Sequence, residues 1–292
     1  MKKSIISMFL VTLSLFSGGV QYGKGSFEMS GGFMGMTQTL KTDITTYSLV
    51  EEHSNIFLSN WYYRYNFTWY DSTVLTNMYN MANDTLHMIP INIIHTDQIQ
   101  QMIDYKMQGL DANIVLGNDI LHQDENDYIG LGVMVGVSIP WIESSSSSNS
   151  DNSNSNDLLK IMKKSKTKIL TYKIGPSVSI RKSLNKHFMI YGSATYAYQK
   201  GTFENKYAQF KFDADGIFQE YDVGMRFQLV SEDYDMGWIT ISPRLYGNIG
   251  YRLSSWELKD VNMDITGLKM DFMKTDFSMK SSTMYMGWGY SF

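Results

Sequence analysis

The sequence predicts an all-β chain: a transmembrane antiparallel up-and-down β-barrel of about ten strands, apolar towards lipid and polar towards its lumen. Three observations carry this. Long stretches alternate apolar and polar residues with a period of two, the signature of strands with one apolar face. Charged residues make up only 18% of the chain while aromatics reach 14%, against about 25% charged in ordinary globular proteins. No apolar run approaches the roughly 20 residues that a spanning helix needs. Mean hydropathy is nevertheless slightly negative, −0.24, which suits a two-faced wall better than a bundle of uniformly apolar helices. Composition alone also fits a soluble β-sandwich, so the pattern along the chain decides.

At the N-terminus, Lys2 and Lys3 precede a short apolar core from Ile5 to Phe16, followed by small residues at Ser17, Gly18 and Gly19. This is the order of a secretory signal peptide. Cleavage is expected after Gly19, which makes 1–19 the signal and 20–292 a single barrel domain. With no Cys there is no disulfide framework, no lipidation site and no thiolate metal site. A net charge of −4 and a pI near 5.7 provide no basic footprint for nucleic acid. Neither a cofactor nor a metal is expected.

The clearest strand runs from Ile129 to Trp141, with Leu131, Val133, Val135, Val137 and Ile139 on one face and Gly130, Gly132, Met134, Gly136 and Ser138 on the other. On that assignment Val133→Arg meets hydrocarbon, and Met134→Arg, facing the lumen, is the milder change. Lys168 to Lys182 repeats the pattern, with Leu170, Tyr172, Ile174, Val178 and Ile180 outward. After a turn at 183–186, Phe188, Ile190, Tyr196 and Tyr198 face out on the returning strand. A second hairpin follows. Ile217, Tyr221, Val223, Met225 and Phe227 lead into a turn at 231–237, and Ile239, Ile241, Leu245, Ile249, Tyr251 and Leu253 are expected on the outer face of the partner strand.

Upstream, 57–69 alternates Phe57, Trp61, Tyr63, Tyr65, Phe67 and Trp69 with polar residues, and 107–118 is a weaker version. Seven strands from Met107 onward plus 57–69 make eight; this is the alternative count, with the first mature residues left in the periplasm or lumen. Adding a glycine-weakened strand at 27–38 and a poor one within 85–95, which contains Pro90, makes the favoured ten. Segment 72–82 reads as a short helix or as irregular. Loops are expected near 143–167, where a Ser/Asn tract lies, near 201–215 and near 257–280.

The last residues are the most specific signal. Met284, Met286, Trp288, Tyr290 and Phe292 alternate with Thr283, Tyr285, Gly287, Gly289 and Ser291, and Phe292 ends the chain. This closely resembles the closing strand of outer-membrane β-barrel proteins of Gram-negative bacteria, although no subfamily is indicated. The resemblance implies an outer-membrane location and contact with outer-membrane lipids. It also implies an assembly signal at Trp288, Tyr290 and Phe292 read by the barrel assembly machinery. It places the C-terminus in the periplasm, so that short turns fall inside and long loops outside.

Inward positions collect Arg64, Lys173, Arg181, Glu220, Asp222, Arg226, Arg244 and Arg252 as candidate lumen-lining residues. They support either a lumen locked by paired charges, giving a structural or surface element, or a narrow, mildly anion-preferring passive pore. Enzymes on small outer-membrane barrels, such as lipid A acyl and deacyl transferases and a phospholipase, supply the remaining alternative. The five histidines, His53, His87, His95, His122 and His187, do not stand in a nucleophile–base–orienter pattern, so no catalytic residue is assigned. The run 122–127 is acidic but lacks the glycine and spacing of a calcium loop. Deleting Phe292 is expected to lower the amount of assembled barrel in outer-membrane fractions more than deleting a residue of the Ser/Asn tract. Equal amounts of the two would refute the terminal signal.

Overall fold

A computed structural model describes residues 18–33, 36–56, 60–73, 105–121, 127–144, 166–205, 210–228, 234–235, 240–241, 245–265, 268–270 and 277–290. The strands are β1 (Gly18–Phe33), β2 (Met36–Ile56), β3 (Trp61–Ser72), β4 (Tyr105–Asp119), β5 (Tyr128–Ser144), β6 (Lys166–Ser183), β7 (Phe188–Asn205), β8 (Phe210–Gln228), β9 (Tyr234–Asp235), β10 (Thr240–Ile241), β11 (Leu245–Ile265), β12 (Leu268–Met270) and β13 (Phe277–Tyr290). Ten of them close an antiparallel up-and-down barrel in the order β1 to β8, β11, β13, with β13 returning to β1 from Gly18↔Tyr290 to Gly31↔Phe277. Closure leaves no free sheet edge, the condition for strands to cross hydrocarbon.

The ten strands are not the ten expected. β1 and β2 supply two, from residue 18 onward, so the strand expected at 27–38 is the end of one strand and the start of another. The strand expected within 85–95 and the segment 72–82 fall, beyond Thr73, outside the described residues. β1 starts inside the expected signal peptide; cleavage after Gly19 leaves Val20 as its first residue, opposite Trp288. Thr240–Ile241 pairs with Tyr234–Asp235 in a small separate sheet, and the wall resumes only at Leu245. Ile241 therefore belongs to that small sheet and not to the barrel wall, because the connection after β8 is long enough to form a hairpin of its own; Ile239 lies outside the described residues. The loop expected at 201–215 narrows to 206–209, since β7 runs to Asn205 and β8 begins at Phe210.

Where the alternation is strong, the faces are as expected: Leu131, Val133, Val135, Tyr172, Ile174, Tyr196, Tyr198, Tyr221 and Val223 are all exposed on the outside. The ten wall strands are 12 to 21 residues long, although about 9–11 tilted residues cross a bilayer. The surplus carries a reversed pattern. In β11, Ile249, Tyr251 and Leu253 point out while Asn248 and Arg252 point in; further along, Glu257 and Lys259 point out while Trp256 and Leu258 are buried inside. The same switch occurs in β6, where Lys168 faces out and Ile169 in, and in β13, where Lys280 faces out and Met279 in. An apolar exterior over a polar lumen is a wall in lipid; a polar exterior over an apolar interior is a wall in water. The chain is thus an outer-membrane-type β-barrel whose upper strands project beyond the bilayer at the end with the long connections.

The lumen-facing glycines make room for tyrosines. A Cβ on Gly117 or Gly130 would lie within 2.6 Å of the Tyr62 ring, so these two positions hold the ring flat against the wall. Val133, 52% exposed, is expected to cost about 2–4 kcal/mol as Val133→Arg near the midplane. Met134 is 1% exposed within the buried apolar cluster, which reverses the ranking read from sequence: Met134→Arg buries an unpaired cation and is expected to cost more. Denaturant titration of folding into lipid vesicles measures both, and a Val133→Arg barrel as stable as the parent would show this register to be wrong.

Candidate functional site

The lumen holds the buried chemistry, in two storeys. The storey nearer the long connections is an apolar plug to which all ten wall strands contribute: Phe27, Ile44, Tyr70, Met107, Ile169, Phe218, Trp256, Leu258 and Met279, with Ile142 and Phe203 packed against them. Phe218 and Leu258 are fully buried, and the Phe218 and Trp256 rings lie 5.4 Å apart. At about 1.5–3 kcal/mol for each large side chain removed from water, the plug is a core of the kind that stabilises soluble barrels. Among the described residues its one ion pair is Lys173 with Asp111: Lys173 Nζ is 2.5 Å from Asp111 Oδ1 and 3.8 Å from the centre of the Phe218 ring. Asp111 also accepts from Asn113 Nδ2 at 2.7 Å and from the Ser138 hydroxyl, and Ser138 in turn accepts from Trp256 Nε1 at 3.0 Å.

Below the plug lies a polar storey organised by Arg252. Its Nε and NH2 donate to Asp222 Oδ2 at 3.0 and 2.7 Å, and NH2 also reaches Gln21 Oε1 at 3.0 Å. NH1 lies 3.3 Å from Ser48 Oγ, Asn66 Oδ1 and Thr68 Oγ1. One guanidinium on β11 thereby ties β1, β2, β3 and β8 together. Tyr285 donates to the other oxygen of Asp222 at 2.5 Å and meets the Tyr191 hydroxyl at 2.8 Å. Arg64 donates to Ser177 and Thr195, each at 3.3 Å, and Glu220 accepts from Ser254 at 3.3 Å. These groups surround a cavity of about 40 Å³, room for roughly two or three waters.

Of the eight lumen-lining candidates, the structure places seven on the inner face and brings Arg64, Glu220, Asp222, Arg226 and Arg252 together around that cavity. Lys173 sits above it in the plug, and Arg181 lies nearer the short turns, donating to the Glu52 carbonyl and carboxylate at 3.1 and 3.4 Å. Arg244 lies outside the described residues. Sequence reading missed Asp111 and Glu52, the carboxylates that pair with Lys173 and Arg181, and it missed the plug. Trp288 faces outward, exposed, on β13, and Phe292 lies outside the described residues.

Among the histidines, His53 stands in β2, its Nε2 3.1 Å from Glu51, which also accepts from the Tyr63 hydroxyl at 2.8 Å. His187 lies in the exposed turn between β6 and β7, and His87, His95 and His122 lie outside the described residues. At the end of the acidic run, Asp127 accepts from Lys182 Nζ and, at 2.6 Å, from the Ser183 N–H. The Lys182 ammonium, then that N–H, hold its carboxyl below the usual carboxylate range. This clasp contributes above the ordinary Asp pKa of about 3.9 and is lost as the pH falls through the lower folded value.

No protein-family model matches the chain, and no curated protein matches it. Among solved structures it is similar to the outer membrane protease OmpT of Escherichia coli, at 9% identity over 94% of this chain and 97% of that one, with a TM-score of 0.41. It is also similar to the translocator domain of the autotransporter NalP from Neisseria meningitidis, at 8% identity over 100% of this chain and 96% of that one, TM-score 0.35. A third is Ail, the attachment invasion locus protein of Yersinia pestis, in complex with the heparin analogue sucrose octasulfate: 10% identity, 95% and 100% covered, TM-score 0.31. Likeness at these scores carries no argument about activity, so the lumen has to be read from its own residues.

Arg252→Met is expected to destabilise the barrel by about 3–5 kcal/mol, because it leaves the Asp222 carboxylate buried without its cation. Arg64→Met, whose partners are hydroxyls, is expected to cost about 1.5–3 kcal/mol. Denaturant titrations of the two variants test the ranking; equal losses would show that Arg252 is not the organising group.

Proposed function

We propose that this protein is a sealed barrel of the outer membrane, a structural and surface-presenting element rather than a passive pore. It would be inserted by the barrel assembly machinery through its C-terminal strand and held by outer-membrane lipids. The observation that carries this reading is the apolar plug: every wall strand places a side chain in it, and its one ammonium is neutralised by Asp111. A permeation path for polar solutes needs water and exposed polar groups along its whole length. Here the polar storey stops beneath Phe218, Trp256 and Leu258.

The projecting strands support the surface role. With polar residues such as Lys41, Asp43, Lys200, Asp215 and Lys259 outward and the plug inward, the upper barrel is self-supporting in water beyond the lipid-facing belt. No observation on the described residues specifically favours the enzymatic alternative.

Purified protein in planar bilayers is expected to show no stable conductance steps, and shortening Arg226 to Ala should leave it silent because the seal lies elsewhere. The double variant Phe218→Ala, Trp256→Ala is expected to open small steps. Stable steps in the unmodified barrel would refute the sealed reading.

A further inference from the structure

We propose that the mouth of the lumen at the short-turn end is a binding site for a phosphate group, carried by a soluble phosphate ester or by an anionic phospholipid of the periplasmic leaflet. The proposal is independent of whether the lumen conducts, because the site lies below the plug.

Arg226 carries the argument. Every other inward cation described has a polar partner: Asp111 for Lys173, Glu52 for Arg181, Asp222 for Arg252, and two hydroxyls for Arg64. Arg226 has no hydrogen bond or ion pair of its own among the described residues, and the Glu52 carboxylate across the cavity is already held by Arg181. Its guanidinium stacks on the Tyr246 ring at 3.9 Å, and its Nε is buried without a hydrogen-bond partner. Asn248, its neighbour across the sheet, also has a buried, unsatisfied side-chain oxygen. A buried guanidinium without a hydrogen-bonded counter-ion is costly, and one held over an aromatic ring keeps its planar fork free to grip an oxyanion with two parallel hydrogen bonds.

Arg226 opens into a recess of about 490 Å³, whose lining adds Lys186 and His187, the amides of Asn185 and Gln228, and the hydroxyl of Ser183. No carboxylate is among its described lining residues. Two cations and a histidine suit a group that carries up to two negative charges on three or more oxygens, which favours phosphate over a carboxylate. Asn185 holds the turn, its Oδ1 accepting from the His187 and Phe188 N–H groups at 2.8 and 2.9 Å, so Lys186 and His187 are presented on a defined backbone. Phe188 is exposed on the outer face beside them, next to the lipid of the same leaflet.

The test uses the folded full-length barrel in maltoside micelles, titrated calorimetrically with inorganic phosphate at constant ionic strength. In parallel, barrels in nanodiscs of phosphatidylethanolamine doped with phosphatidylglycerol are examined by native mass spectrometry for retained lipid. Saturable phosphate binding, retained phosphatidylglycerol, or both are expected in the unmodified protein, and the pattern separates the free source from the headgroup. Arg226→Gln should weaken whichever signal appears by at least tenfold. Lys186→Ala, in an exposed turn where folding is not at stake, should weaken it several-fold, while Lys182→Ala, outside the recess, should leave it unchanged. Absence of both signals, or equal signals in the parent and in Lys186→Ala, would overturn the proposal.

Discussion

Each strand of this barrel has to satisfy two solvents in turn, and that constraint organises the rest of the structure. A period-two pattern assigns one residue in two to each face. In lipid the outward set must be apolar and the lumen may be polar; in water the outward set must be polar and the interior must supply its own apolar core. The chain meets both demands by switching which face is apolar part-way along the strand, without changing the period. In β11 the switch falls between Leu253, outward in the apolar belt, and Trp256, inward in the plug. The plug, the projecting strands and the gathering of most buried charge beneath the plug all follow from where that switch falls.

The same constraint explains what was legible in the sequence. Strands β5, β6 and β7 and the end of β13 keep one phase over most of their length, so their faces could be assigned residue by residue. β2 could not be recognised: Lys41, Asp43 and Thr45 lie on one face and Thr42, Thr46 and Ser48 on the other, with Ile44 alone marking the interior. A strand that stands mostly in water on the outside and lines a polar storey within has no apolar face to reveal it. The inward glycines compounded this in β1, where Gly19, Gly23 and Gly25 interrupt the pattern. A Cβ at Gly23 would meet the Thr46 hydroxyl, the Met284 carbonyl and Tyr285, and one at Gly25 the backbone of Ser282 and Thr283. These glycines are positions of close approach between strands, and a one-dimensional alternation shows them only as gaps.

For the lumen, sequence periodicity identified which charges face inward, because a cation on the lipid face is excluded by its cost. It did not say which charges meet. Pairing depends on the shear of the sheet, which brings Arg252 beside Asp222 by direct strand neighbourhood but carries its NH1 across the lumen to Asn66 on β3. The partners Asp111 and Glu52 were invisible for a related reason. Each lies on a segment whose alternation is weak, so neither could be assigned a face until its strand was placed.

The position of the plug makes an argument that its composition alone does not. Had polar pairs filled the whole lumen, a buried network would have been required to satisfy every donor and acceptor across ten strands, and each error would cost about 1–3 kcal/mol. The upper storey avoids most of that requirement: apart from Lys173, Asp111 and their immediate partners, it asks only for volume, which Phe218, Trp256, Leu258 and Met279 provide. The demanding network is confined to the level where the outer wall is held by lipid, and there a single guanidinium reaches four other strands. Below that level Arg226 departs from the rule, since the most economical interior would have paired it or replaced it with an apolar residue. A cation left without an ion pair among the described residues at the mouth, over the Tyr246 ring, is explained by a partner that arrives from outside the chain.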